Sequence, residues 1–182
     1  MTPTAYRSSQ KFLHWTIFLL IVGLFVLAHV PGFLHLPKGN PTRGAIIGIH
    51  ISFGLVLLVL VAMRVVGRFV YGAPDLPANT PPLEALLAKV AHLALYALMI
   101  VIPLLGVYMV WLHGVGLNFF GLFTIPAPIA GNEVLHDQIK EVHEFFANLI
   151  LFLLAVHVVA AAWHHYIKKD DVLTKMLPKR GA

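Results

Sequence analysis

Four stretches of this 182-residue chain carry no Asp, Glu, Lys or Arg: residues 12–37, 44–63, 90–132 and 145–167. A helix needs roughly 20 apolar residues to cross the hydrocarbon of a bilayer, so each stretch is long enough to span. In lipid every backbone N–H and C=O must be satisfied internally, which leaves helices and closed barrels. These runs do not alternate apolar and polar residues as barrel strands do. The expected class is therefore all-α, a transmembrane four-helix bundle. Charged residues make up 12% of the chain, about half the share in ordinary soluble domains.

The third stretch exceeds one helix, and its second part holds Gly114, Gly116, Gly121, Pro126 and Pro128, which break helical continuity. It reads as a helix followed by an apolar loop. The expected helices run over about 11–31, 44–69, 84–112 and 137–167, in one membrane domain covering 1–182. The first ends at Pro31-Gly32 and is expected to be retained rather than cleaved as a signal peptide. Glu84 falls in the first turn of the third helix, where the helix dipole favours an acid.

Basic residues divide unevenly between the helix ends. Arg7, Lys11, Arg64, Arg68, Lys89, Lys168, Lys169, Lys175, Lys179 and Arg180 fall on one side, and Lys38, Arg43 and Lys140 on the other. By the positive-inside rule both termini are expected in the cytoplasm. A net charge of +5 is compatible with nucleic-acid binding, but the basic residues flank the spans without base-stacking aromatics. Anionic membrane lipid is the expected partner, and nucleic acid is not. With no cysteine, disulfides, thiolate-held iron–sulfur clusters and haem attached through C-x-x-C-H are excluded.

Eleven histidines in so apolar a chain need an explanation, because an ionisable side chain inside a span is costly and by default functional. On the fourth helix His143, His157 and His164 are spaced by 14 and 7 residues, which returns them to one face. The step from His143 to His157 is about 21 Å of rise, which suits two stacked planar cofactors. A haem that only passes electrons takes two axial ligands, commonly imidazoles. His14 begins the first helix on the inner side and His50 lies early in the second on the outer side, so His14 can pair with His157 and His50 with His143. By depth alone His164 would match His14 better, but that pairing would separate the ligands on the fourth helix by about 31 Å, the whole hydrocarbon thickness.

The other histidines are read more plainly. His29, His35, His113 and His136 lie near outer loops and are expected to be interfacial. His92, with Tyr96 one turn on, is open to either a structural hydrogen bond or a cofactor contact. Gly23, Gly48, Gly54 and Gly106 permit close approach of a helix or a flat macrocycle. Arg64 and Arg68, one turn apart, can pair with haem propionates or snorkel to lipid phosphate.

The ordered set His14-Trp15, His50, His92-x3-Tyr96, Pro103-x2-Gly106, His143-Glu144, Ala147-Asn148, His157 and His164-His165-Tyr166 resembles the bacterial cytochrome b-561 family over essentially the whole chain. The tail from Lys169-Asp170 through Leu173 to Met176-Leu177-Pro178 resembles that family's C-terminal ending. The resemblance implies two haem b groups, His14 and His157 holding the inner one and His50 and His143 the outer. It is strongest to the members that oxidise superoxide with ubiquinone as acceptor, in the bacterial inner membrane. On that likeness superoxide arrives from the periplasm, attracted by Lys140 and Arg43. The quinone is then expected near His164, a residue suited to proton delivery, with Trp163 or Trp15 packing against its ring. Val142 stands where those members carry an aromatic residue, a departure at the outer pocket.

Two other readings compete. One is an electron-transfer subunit fed by a protein dehydrogenase, which would want an exposed apolar docking surface within 114–132. The other is a histidine-based metal or proton transporter, which would want carboxylates or broken helices at mid-membrane, and the spans contain neither.

Overall fold

The computed structural model describes residues 3–178, so Lys179 and Arg180 of the charge count lie outside the described residues. Four long helices dominate: α1 (Ser8–Phe33), α2 (Pro41–Tyr71), α3 (Pro82–Leu112) and α4 (Glu133–Trp163), the last continued by one π-helical turn, His164–Lys168. All four are long and apolar enough to cross a membrane. The chain is an all-α transmembrane bundle, as the charge-free stretches require.

The helix ends differ from the expected ones for local reasons. Pro31 does not stop α1, because in the last turn its missing N–H deprives only one carbonyl of a donor. The chain turns at His35 instead, which takes a left-handed φ of 51°. Asn40 caps α2, its Oδ1 accepting from the N–H groups of Thr42 (2.8 Å) and Arg43 (3.4 Å), and Pro41 supplies a preset φ at the first helical position. Asn132 caps α4 through the N–H of Leu135 at 3.0 Å. The helix therefore begins at Glu133, before the expected Asp137.

α1 packs along α2, α3 along α4, and α2 against α3, whereas α4 packs closely on neither α1 nor α2. The buried core reflects this. Ile17, Ile21 and Leu24 of α1 meet Leu57 and Val61 of α2 and Leu95, Leu98 and Met99 of α3, but α4 contributes only Ile150. Lipid tails are as apolar as these side chains, so close packing rather than water exclusion must hold the helices. α4 is thus held on one side and leaves a gap on the other.

The segment after α3 corrects the expected loop. Leu117–Phe119 and Phe123–Ile125 pair as an antiparallel hairpin. The turn residues Phe120 and Gly121 both have positive φ, 49° and 76°, the geometry whose twist matches paired strands. The hairpin is docked on α2, where Phe120 N–H donates to Ser52 Oγ at 2.9 Å. The Phe53 and Phe120 rings meet edge to face at 5.0 Å, and Leu117 is 2% exposed.

Gly116 has no room for a side chain: a Cβ there would lie 2.5 Å from Thr124 Cγ2 and 2.9 Å from the Ile125 carbonyl oxygen. Backbone cannot yield as a flexible side chain can. Gly116→Ala is expected to destabilise the protein by about 1–3 kcal/mol, read as a lower thermal midpoint in detergent. An unchanged midpoint would show that the hairpin is not packed as described.

Candidate functional site

Two imidazole pairs bridge the gap that the helix packing leaves open. At the far end, away from the termini, His50 of α2 and His143 of α4 face one another with ring centroids 6.4 Å apart. Toward the basic end, His14 of α1 and His157 of α4 are 6.1 Å apart. Two metal–imidazole bonds of about 2 Å each, with half a ring on either side, span about 6 Å. Each pair therefore has the separation of two axial ligands on one ion.

The far pair is held by the neighbouring helices. His50 Nδ1 is 3.0 Å from the Leu24 carbonyl oxygen of α1, and His143 Nδ1 is 3.0 Å from that of Ile102 in α3. A carbonyl only accepts, so Nδ1 carries the proton in each ring and Nε2 keeps its lone pair for a metal. Gly106 makes room for His143, whose Cε1 would lie 3.3 Å from a Cβ there. On the α2 side a Cβ at Gly54 would meet nothing within 4 Å. The resulting cavity, about 400 Å³, is lined by both histidines and by Gly54, Ala147, Asn148 and Arg43 among others. Free Nε2 atoms, small residues and a gap between helices are what a flat macrocycle with axial imidazoles requires, and haem fits this donor set.

The near site holds three rings rather than two. His92 of α3 also faces His157, with centroids 5.6 Å apart, and it bonds the backbone of Ala88 one turn earlier. His14 and His157 have no hydrogen-bond partner among the described residues. Arg64 lies with its guanidinium carbon 5.7 Å from the Tyr96 ring centre and donates to the Gln10 carbonyl at 3.2 Å. Arg68 adds charge near His92.

His164 is occupied differently from the expectation. Its Nε2 is 3.0 Å from Glu84 Oε1 and its Nδ1 is 2.5 Å from Asp170 Oδ2, so a carboxylate faces each ring nitrogen. Lys168 Nζ also donates to Glu84. Beside this group an apolar cleft of about 480 Å³ runs along one face of α4, lined by Phe152, Val156, Val159, Trp163, His164 and Glu84. Trp163 thus accompanies His164, as one of the two expected tryptophans. Trp15 does not: its Nε1 donates to the Met176 carbonyl at 3.1 Å, while its ring edges His14.

Other expectations move as well. Lys140 is exposed and ion-paired with Glu144 at 2.8 Å, whereas Arg43 lines the far cavity and donates to the Leu36 carbonyl at 3.1 Å. Glu84 and Asp170 were not legible as site residues. Glu84 suits a helix start on its own, and only the meeting of α3 with the end of α4 reveals its other role.

Comparison with known proteins agrees with this architecture. A family profile described as prokaryotic cytochrome b561 matches residues 5–179. Cytochrome b561 homolog 1 of Escherichia coli K12 is 30% identical over 96% of this chain and 98% of its own. The probable superoxide oxidase CybB of Yersinia pestis is 31% identical over 96% of this chain and 97% of its own. Cytochrome b562 of Cereibacter sphaeroides is 30% identical over 96% of each.

The tail beyond α4 gives a pH prediction. Burial raises the pKa of Asp170, but hydrogen bonds from His164 and the Val172 N–H, with the charges of His164 and Lys168, outweigh it and hold the carboxyl below its usual value. A carboxyl depressed on folding stabilises fully above its unfolded pKa of about 3.9, and that contribution is lost as pH falls through the folded value. The tail should therefore stay docked at neutral pH and loosen below about pH 4. Asp170→Asn should loosen it already at pH 7. Limited proteolysis after Lys168 and Lys169 reads both, and equal resistance in variant and parent at pH 7 would refute the role given to Asp170.

Proposed function

The chain belongs to the prokaryotic cytochrome b561 family, a haem b-binding, multi-pass membrane electron-transfer protein, and from this we propose that it is a superoxide:ubiquinone oxidoreductase of the bacterial inner membrane. The observation that carries the reading is the pair of facing imidazole sets, at 6.4 and 6.1 Å, stacked along α4. On this reading His50 and His143 ligate one haem b, His14 and His157 a second. Bound haem supplies reversible one-electron storage. His92 packs beside His157, and Arg64 and Arg68 provide the positive charge for propionates.

The net reaction takes one electron from each of two superoxide ions, releasing two O₂, and gives ubiquinone two electrons and two protons. Superoxide is an anion, and Arg43 at the wall of the far cavity attracts it. Lys140, neutralised locally by Glu144, adds only to the general field. The name of the Yersinia pestis relative supports this donor, and the excess of basic residues beside the termini supports a periplasmic far cavity. Ubiquinone, apolar apart from its ring oxygens, suits the α4 cleft, where Trp163 packs against the ring and the hydrogen-bonded pair of His164 and Glu84 supplies a proton. Glu84 and Asp170 hold the imidazole in place and replace that proton from the cytoplasmic side.

A second reading rests on the exposed hairpin residues Leu122 (77%) and Phe123 (54%). These form an apolar tip on which a protein dehydrogenase would dock to feed the same haems.

Pyridine haemochrome on the purified protein is expected to give about two haems per chain, and about one in His143→Ala. Superoxide should reduce the haem and added ubiquinone reoxidise it. His164→Gln should slow reoxidation about a hundredfold with haem content unchanged. Haems that ignore superoxide would favour the protein-fed reading, and a chain without haem would overturn both.

A further inference from the structure

At the far end of the bundle, outside both sites above, we propose that His113, Glu133 and His136 bind a divalent transition-metal ion of the Zn²⁺, Ni²⁺ or Cu²⁺ class. His113 follows the last residue of α3, and Glu133 and His136 lie in the first turn of α4. One ligand atom from each of the three lies within 4.8 Å of the others. His113 Nδ1 is 3.0 Å from Glu133 Oε1, and the two imidazole centroids are 5.1 Å apart. Four bonds of about 2 Å around a tetrahedral ion place neighbouring ligand atoms about 3.3 Å apart. The three groups need only small side-chain movements to meet one ion, leaving a fourth position for water.

Backbone contacts hold the set in place. Asn132 N–H donates to the Leu112 carbonyl at 2.8 Å, tying the residues that precede Glu133 and His113. Gly131 and Gly114 pass so closely that a Cβ on Gly131 would lie 3.3 Å from Gly114 Cα. His136 is also oriented: Asp137 Oδ1 lies 3.1 Å from its Nδ1, the arrangement in which a carboxylate fixes the tautomer and leaves Nε2 to a metal.

An exposed His113–Glu133 ion pair alone would count for little. A second imidazole with a ring nitrogen within 4.8 Å of the same carboxylate, and Asp137 on its Nδ1, distinguishes a ligand set from a surface pair. Two neutral imidazoles and two carboxylates complement a dication, and without thiolate they suit Zn²⁺, Ni²⁺ or Cu²⁺ rather than Cu⁺. The bound ion closes the neck of the 114–131 connection. The hairpin of that connection rests on Ser52, two residues from His50.

The test uses tag-free, haem-loaded, chelator-treated protein in detergent, titrated with Zn²⁺ by calorimetry and analysed at the zinc X-ray absorption edge. The expected result is one tight Zn²⁺ per chain with two imidazoles and oxygen donors in its shell. His113→Gln and His136→Gln should each weaken binding at least about tenfold and reduce the shell to one imidazole, with the haem spectrum unchanged. His35→Gln, at the same end of the bundle, should leave the affinity as it was. Failure to bind zinc, a shell without two imidazoles, or affinity equal to the parent in both variants would overturn the proposal. The parent's own absorption spectrum decides it even where a variant does not fold.

Discussion

α4 leans on α3 and stays clear of α1 and α2, and most of what the bundle can hold follows from that spacing. Helices in lipid have no water to expel, so nothing closes a gap merely because it is apolar. The gap persists because the helices on each side are fixed to their own neighbours. α1 and α2 share the core of Ile17, Ile21, Leu57 and Val61, while α3 and α4 meet where Gly106 admits His143. The Nδ1 hydrogen bonds across each helix pair, His50 to Leu24 and His143 to Ile102, aim one imidazole from each side into the space between. Close packing within the pairs and of α2 on α3, and the separation of α4 from α1 and α2, are one arrangement seen from two sides.

At the basic end the polar groups are placed by a different logic. Buried charge in a membrane protein must find a partner, and here the partners are largely backbone and distant chain. Lys11, 7% exposed, donates to the Leu177 carbonyl at 2.7 Å. Gln10 reaches the carbonyl of Gly72 at 3.0 Å, and Lys168 and His164 converge on Glu84. The termini of all four helices are thereby joined where the apolar spans give them least reason to adhere. The joint between His164 and Glu84 borders the cleft along α4 and gives it its polar groups.

The spans could be read from the sequence because exclusion of charge over 20 or more residues is a local property, and the matched histidine face of α4 because helical period is local too. The helix starts at Asn40 and Asn132 were missed by a few residues, since charge gaps mark the hydrocarbon and not the caps. The hairpin was missed because its glycines and prolines announce only that the helix stops. The paired positive φ values of Phe120 and Gly121 and the seat on Ser52 depend on tertiary contact. His164 is read from the spacing on the face of His143 and His157 and beside Trp163, but its carboxylate partners come from α3 and the tail, which no spacing within α4 reveals. His113 and His136 looked interfacial one at a time and meet only when α3 and α4 are brought together.

The tail lies back over the first helix. Met176 and Leu177 accept hydrogen bonds from Trp15 and Lys11, contacts that join residues more than 160 positions apart. During synthesis, at roughly 5–20 residues per second, α1 is made well before Met176 and Leu177, yet its neighbourhood at His14 is completed only by them. The far cavity needs only residues up to Leu151 and can form while the tail is still being made. Maturation is therefore ordered in time from one membrane face to the other, and a chain truncated before Met176 would retain the whole far cavity while leaving Trp15 and Lys11 without the groups that cover them.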